Sequence, residues 1–152
     1  MAASHQKILS GWGNYPKANV QVIKPANAQE LSTAITTGKA IASGLGRSYG
    51  DQAVLSDQKV FICTRMHHFI SWDKNEGILE CEAGTSLDEI IATFAPGGWM
   101  PMICPGTKFV TIGGAIANDI HGKAHHVDGS FINCVISFTI LLLLINDFLK
   151  ST

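Results

Sequence analysis

The stretch PGTKFVTIGGAIANDIHGKAHHVDGSF, residues 105–131, decides how this chain is read. Its small residues Gly113, Gly114, Ala115 and Ala117 would let a backbone lie flat against a planar or phosphate-bearing ligand. Between Asn118 and Ser130 follow three histidines, two aspartates and a lysine. Residue types alone suggest a metal cluster there, because His121 and His125 have the i, i+4 spacing that puts two imidazoles on one helix face, with His126, Asp119 and Asp128 close by. Gly122 and the polar run after it disfavour a helix at that point, so no metal is expected.

Upstream lies a second glycine-rich segment, SGLGRSYGDQ at Ser43–Gln52. A dinucleotide fingerprint places its third glycine three residues after the second and then opens a helix; here Gly50 comes four after Gly46, and DQAVLSDQ has no amphipathic period. A P-loop needs a closing Gly-Lys-Ser/Thr, which is absent. A plain surface turn is the bland reading of this segment alone. Together, with backbone N–H groups on both, they suit an elongated and partly anionic ligand clamped from two sides.

The flanking sequence supplies a mixed scaffold. Val20–Lys24 alternates as a strand, Asn27 with Glu30 opens a helix expected to run to Gly38, and Ala40–Ala42 is a short strand. Val60–Thr64, His68–Trp72 and Ile78–Cys81 read as further strands, the last two joined by a turn at Lys74–Gly77. Ser86 and Glu89 form a capping box for a helix with an apolar face of Leu87, Ile90, Ile91 and Phe94, stopped at Pro96. A strand–helix–strand unit followed by hairpins predicts an α+β fold.

At 152 residues one domain is expected, and 11 basic against 12 acidic side chains argue against nucleic acid as a partner. Cys63, Cys81, Cys104 and Cys134 show no metal-ligand spacing and read as buried, reduced thiols of a cytoplasmic protein. No secretory signal is evident. His67 and His68 have no partner motif and read as surface or strand-end residues. The apolar run Cys134–Ile145 falls short of the roughly 20 residues of a membrane span and is expected as a buried strand or core segment, or as a surface for self-association.

The pair GLGRSYGD and PGTKFVTIGGAIANDIHGKAHHVDGSF resembles the FAD-binding (PCMH-type) domain of the vanillyl-alcohol oxidase and p-cresol methylhydroxylase flavoproteins. The similarity is greatest to the branch of decaprenylphosphoryl-ribose 2'-oxidases and sugar-lactone and alditol oxidases. The resemblance implies two subdomains, a small strand–helix–strand unit and a larger mixed or antiparallel sheet with helices, holding FAD between them. Residues 1–17 would be an N-terminal extension and 18–152 an incomplete FAD-binding domain whose substrate domain is missing. Ile132, where the family pattern expects a glycine, and the leucine-rich tail depart from it.

By the same similarity, Ala42, Ser43, Gly44, Leu45, Gly46, Arg47, Ser48, Tyr49, Gly50, Asp51 and Gln52 would wrap the FAD pyrophosphate. Gly106, Thr111, Ile112, Gly113, Gly114, Asn118, Asp119, Ile120 and His121 would line the flavin and the rest of the cofactor. Tyr49, His121 and Lys123 match positions near the flavin or substrate and are the catalytic candidates; His125 and His126 are expected to pack at its edge without chemistry. Some relatives attach flavin through a histidine at the place of Arg47, and arginine cannot form that bond, so FAD is expected to be non-covalent. The implied activity is oxidation of a small sugar-like alcohol or lactone. The alternative is a catalytically silent remnant or interaction module that keeps the fold.

Overall fold

The computed structural model describes residues 4–35 and 38–141. A four-stranded sheet fills the first part, built from β1 (Ser4–Leu9), β2 (Ala18–Ile23), β3 (Ala40–Ser43) and β4 (Lys59–Ile62) in the order β1-β2-β4-β3. β1 runs antiparallel to β2, and β4 is parallel to both β2 and β3. The alternation in β2 buries Val20 and Val22 completely, and they meet Val60 of β4 in one core flanked by Leu9, Ile41, Val54 and Ile62.

β1 lies within residues 1–17, the stretch expected as an N-terminal extension, and is an edge strand of the sheet. Ser4 to Leu9 pair residue by residue with Ile23 to Ala18. The polar run His5-Gln6-Lys7 hides a strand because an edge strand is held by backbone bonds and needs little apolar alternation.

Between β2 and β3 runs α1 (Ala28–Ala34), where the Asn27 side chain accepts from the Glu30 N–H and Glu30 Oε2 accepts from the Ala26 N–H. The expected continuation towards Gly38 crosses residues 36 and 37, outside the described residues. β4 ends at Ile62, two residues before expectation, in a 3-10 turn at Cys63–Arg65. The turn packs against Gly84, where a Cβ would stand 2.0 Å from the Cys63 carbonyl oxygen. Its amide donates to Met66 O at 2.8 Å, so the chain bends around that approach.

The second part has less regular structure. β5 (Phe69–Asp73) and β6 (Ile78–Cys81) form an antiparallel hairpin, with Asp73 Oδ1 accepting from the Asn75 N–H and Gly77 at φ +69°. It packs through Trp72 on Phe94 and edge-on against Trp99. α2 (Leu87–Phe94) carries the expected capping box, and Leu87 is wholly buried with Ile90, Ile103, Ala115 and Phe131. Truncating a side chain buried this way costs about 2–5 kcal/mol.

The larger sheet expected in this part is a two-stranded ribbon among the described residues. Pro96, Gly97, Gly98, Pro101, Pro105 and Gly106 interrupt any longer strand. α3 (Ile112–Ala117) and the single turn α4 (His125–Asp128) complete the elements, followed by a 3-10 turn at Phe131–Cys134.

Two expectations are corrected at the C-terminal side. Val135–Leu141 forms no strand, and Ile136, Phe138, Ile140 and Leu141 are exposed. The remainder of the predicted apolar segment lies outside the described residues. Cys63 and Cys81 are half-buried, which pushes their thiols up, but Cys104 and Cys134 are exposed. All four are free thiols. No described helix is long and apolar enough to cross a membrane.

Candidate functional site

The two glycine-rich segments meet. A Cβ on Gly44 would stand 2.3 Å from Thr111 Oγ1, so the loop after β3 touches the start of α3 only because residue 44 has no side chain. Ala42 and Ser43 end β3 and deliver the chain to this contact. Beyond it, the amides of Gly44, Leu45, Gly46, Arg47, Ser48 and Tyr49 have no hydrogen-bond partner among the described residues. Gly46 has φ +67°, the left-handed conformation that turns consecutive amides to one side. The loop closes as Gln52 Oε1 accepts from the Gly50 N–H and Asp51 O accepts from the Val54 N–H.

Arg47 holds this loop to its surroundings. Its guanidinium carbon lies 4.8 Å from the Trp12 ring and 5.9 Å from the Phe109 ring, and Nη1 donates to Leu45 O. A fixed cation beside a row of unpaired amides makes a concavity suited to an anion, with no large basic surplus needed.

The second segment differs. The Ile112 N–H donates to Thr85 O and the Gly113 N–H to Ala83 O, while Thr111 Oγ1 accepts from Gly114 N. The expectation that this segment is rich in available donors is therefore corrected at Ile112, Gly113 and Gly114. Asn118 Nδ2 donates to Gly114 O, and Ile120 N donates to Ala115 O. Asp119 sits at φ +42°, and its carboxylate accepts from the Ser130 hydroxyl at 2.8 Å and the Ile132 N–H at 3.0 Å. Those two bonds, the Ile132 N–H first, hold the Asp119 carboxyl below the usual carboxylate range, with nearby His121 adding to the effect.

Past α3 the chain borders a cavity of about 670 Å³. Met102, Ile103, Cys104, Pro105 and Gly106 line one side, and His121, Gly122, Lys123, Ala124, His125 and Asp128 the other. The two sides come close at Gly122, where a Cβ would be 2.5 Å from the Cys104 carbonyl oxygen. His121 pairs with Ser130 in an isolated bridge and its ring lies 5.1 Å from that of His125.

The structure thus brings His121, Lys123 and Gly106 to one cavity and leaves Tyr49 elsewhere, 81% exposed beside Gly13. His125 lines the cavity, and His126 does not. No three His, Cys, Asp or Glu side chains among the described residues are grouped to hold a metal. Trp12 and Phe109 were missed as candidates. Phe109 lies inside the quoted motif, and Trp12 carried its own signal, a large aromatic between two glycines in GWG.

A family model described as an FAD binding domain matches residues 20–143. The chain belongs to that family. It is 38% identical over 142 residues, 89% of this chain and 31% of the relative, to decaprenylphosphoryl-beta-D-ribose oxidase of Mycolicibacterium smegmatis. The chain therefore spans about a third of the length of that relative. Among solved structures, an alkyldihydroxyacetonephosphate synthase aligns with TM-score 0.68 at 18% identity, over 80% of this chain and 25% of that one. Cholesterol oxidase from Brevibacterium sterolicum aligns with TM-score 0.68 at 15% identity and the same coverage.

The α+β, PCMH-type fold and the resemblance to the vanillyl-alcohol oxidase flavoproteins are borne out. FAD is the cofactor indicated by the family and the oxidase homologue. The residues present fit its anionic part: unpaired amides at Gly44–Tyr49 and the stacked Arg47 supply donors and a positive charge where a diphosphate needs both.

Proposed function

We propose that this chain is the FAD-binding part of a flavin-dependent oxidoreductase acting on a sugar-like alcohol or lactone, with FAD held non-covalently. The observation that carries this is the row of unpartnered amides from Gly44 to Tyr49 against Thr111. The ribose oxidase relative supports the substrate class. Bound FAD would supply the acceptor for a hydride from an alcohol carbon.

In this reading the loop from Ala42 to Gln52 binds the diphosphate through its N–H groups, and Arg47 neutralises part of its charge. The segment Thr111–His121, with Gly106, forms the opposite wall, holding its shape through internal bonds. Lys123 and His121, on the cavity, would bind the substrate side: the ammonium steadies negative charge on an oxygen, and the imidazole exchanges a hydrogen bond with a hydroxyl. Tyr49 would have to reach the ligand from its exposed position. Arg47 supports non-covalent attachment, because a guanidinium offers no nucleophile for the flavin at neutral pH.

Residues 18–152 would form the cofactor domain together with β1 and the Gly11–Asn14 turn that pack on it, and a further domain would complete the substrate pocket, in keeping with the short span relative to the ribose oxidase. We place the protein in the cytoplasm. Self-association through the exposed Ile136, Phe138, Ile140 and Leu141 is part of the same proposal, and light scattering of the purified chain tests it.

Titrating the chain with FAD and then precipitating it with acid tests the cofactor reading: bound flavin should be released to the supernatant. Flavin retained in the pellet overturns non-covalent attachment, and no binding at all favours the silent remnant. In a full-length homologue, Lys123→Ala should slow flavin reduction by a sugar-like substrate by at least about tenfold; an unchanged rate removes Lys123 from the chemistry.

A further inference from the structure

We propose that Trp12, outside the matched residues 20–143, is a positioning residue of the FAD site, acting through Arg47 on the diphosphate-binding loop. This rests on the cofactor reading above. The turn Gly11–Asn14 follows β1 and lies along Ser48–Gly50 as a second backbone strip. A Cβ on Gly11 would stand 2.1 Å from Gly50 O and 2.4 Å from Ser48 O, and one on Gly13 would stand 2.9 Å from Tyr49 O. Neither glycine can carry a side chain without moving the loop. Between them, the Trp12 N–H donates to Ser48 O at 2.7 Å.

The indole then lies 4.8 Å from the Arg47 guanidinium, with the Phe109 ring 5.9 Å from that same guanidinium. Arg47 is thereby fixed by an aromatic from the N-terminal turn and another from the second glycine-rich segment. Gly44–Tyr49 needs such support, since it spends none of its own amides on internal bonds. A loop that keeps its donors free for a ligand has to be stiffened from outside. Trp12 supplies that through one backbone bond and one aromatic face, and it also keeps the Arg47 charge next to the free amides. The long aliphatic stem and planar head of arginine suit this arrangement, and a lysine would not stack in the same way.

The test is a set of FAD titrations by flavin fluorescence on the full chain with Trp12→Ala, Trp12→Phe, Arg47→Met and the double variant Trp12→Ala/Arg47→Met, beside amide 15N relaxation without FAD. Trp12→Ala should weaken FAD about tenfold, and Trp12→Phe, which keeps an aromatic face, by less than about threefold. The double variant should bind about as well as Arg47→Met alone, because Trp12 acts through Arg47. Without FAD, order parameters at Leu45–Tyr49 should fall in Trp12→Ala towards about 0.6 and stay near wild type in Trp12→Phe.

Equal FAD affinity for wild type and Trp12→Ala overturns the proposal, as do additive losses in the double variant. If the wild-type chain binds no FAD, the cofactor reading fails and the relaxation data alone decide: loop order unchanged in Trp12→Ala overturns the positioning role. Should Trp12→Ala not fold, Trp12→Phe is compared with Trp12→Leu, and equal affinity of those two overturns it.

Discussion

The loop at Gly44–Tyr49 and the helical turn at Thr111–Ile120 are both glycine-rich and touch at Gly44, yet they use their backbones in opposite ways. Among the described residues the loop leaves six consecutive amides unpaired, and the turn spends the amides of Ile112, Gly113 and Gly114 on Thr85, Ala83 and the Thr111 hydroxyl. Gly46 bends a run of free donors in the first, and glycine serves close packing in the second. A Cβ at Gly113 would come within 3.0 Å of the Ala83 side chain, whereas one at Gly46 would meet nothing within 4 Å. Small residues at a cofactor site therefore do not all bind the cofactor; some let one chain segment seat against another.

The most severe break in this comparison is Gly44→Val, which forces side-chain atoms into Thr111 Oγ1 and separates the two walls. FAD affinity should fall on the order of a hundredfold, measured by fluorescence titration. Affinity within a few-fold of wild type would show that the walls need not touch. Next comes Thr111→Ala, which removes the side-chain acceptor for Gly114 N at the start of α3. It should cost about 1 kcal/mol in denaturant unfolding. No loss of stability would mean that the second wall is not held by its cap.

Gly46→Ala is expected to be milder, since space is open and only the positive φ opposes it. We expect a stability loss of about 1 kcal/mol or less. A larger loss in thermal unfolding would indicate that the loop makes further stabilising contacts.

The smallest effect lies behind the second wall, in the carboxylates next to Ala83 and Ser86. Burial raises the Glu82 and Glu89 carboxyls, but hydrogen bonds from His68 to Glu82, and from Ser86 and His67 to Glu89, outweigh it and hold both below 4.5. Lowered folded-state values mean that this contribution is complete above the unfolded value and is lost as pH falls through the folded ones. Stability should thus decline as pH falls below the usual carboxylate range, and more gently in Glu82→Gln. An identical slope in Glu82→Gln would remove Glu82 from the acid sensitivity.

The sequence made one wall more legible than the other. The N-cap at Asn27, the capping box at Ser86 and the alternation in Val20–Lys24 are local signals, and the elements formed where those signals stood. Glycine positions revealed that close approaches occur but not what approaches: Gly84 against Cys63, Gly113 against Ala83 and Gly11 against Ser48 are tertiary facts. For that reason the amides of Ile112 and Gly113 looked available until Thr85 and Ala83 were in place. The strand Ser4–Leu9 escaped notice because its pairing with β2 is carried by the backbone and not by residue pattern. The three histidines drew attention by type, whereas the contact that orders the loop, Trp12 on Arg47, depends on residues far apart in the chain.

Amide hydrogen exchange with and without FAD tests the division between the walls most directly. The account predicts that Leu45, Gly46, Arg47, Ser48 and Tyr49 exchange freely in the chain alone and become protected on saturation with FAD, while Ile112 and Gly113 are protected in both states. Loop amides that exchange at the same rate with saturating FAD would contradict it.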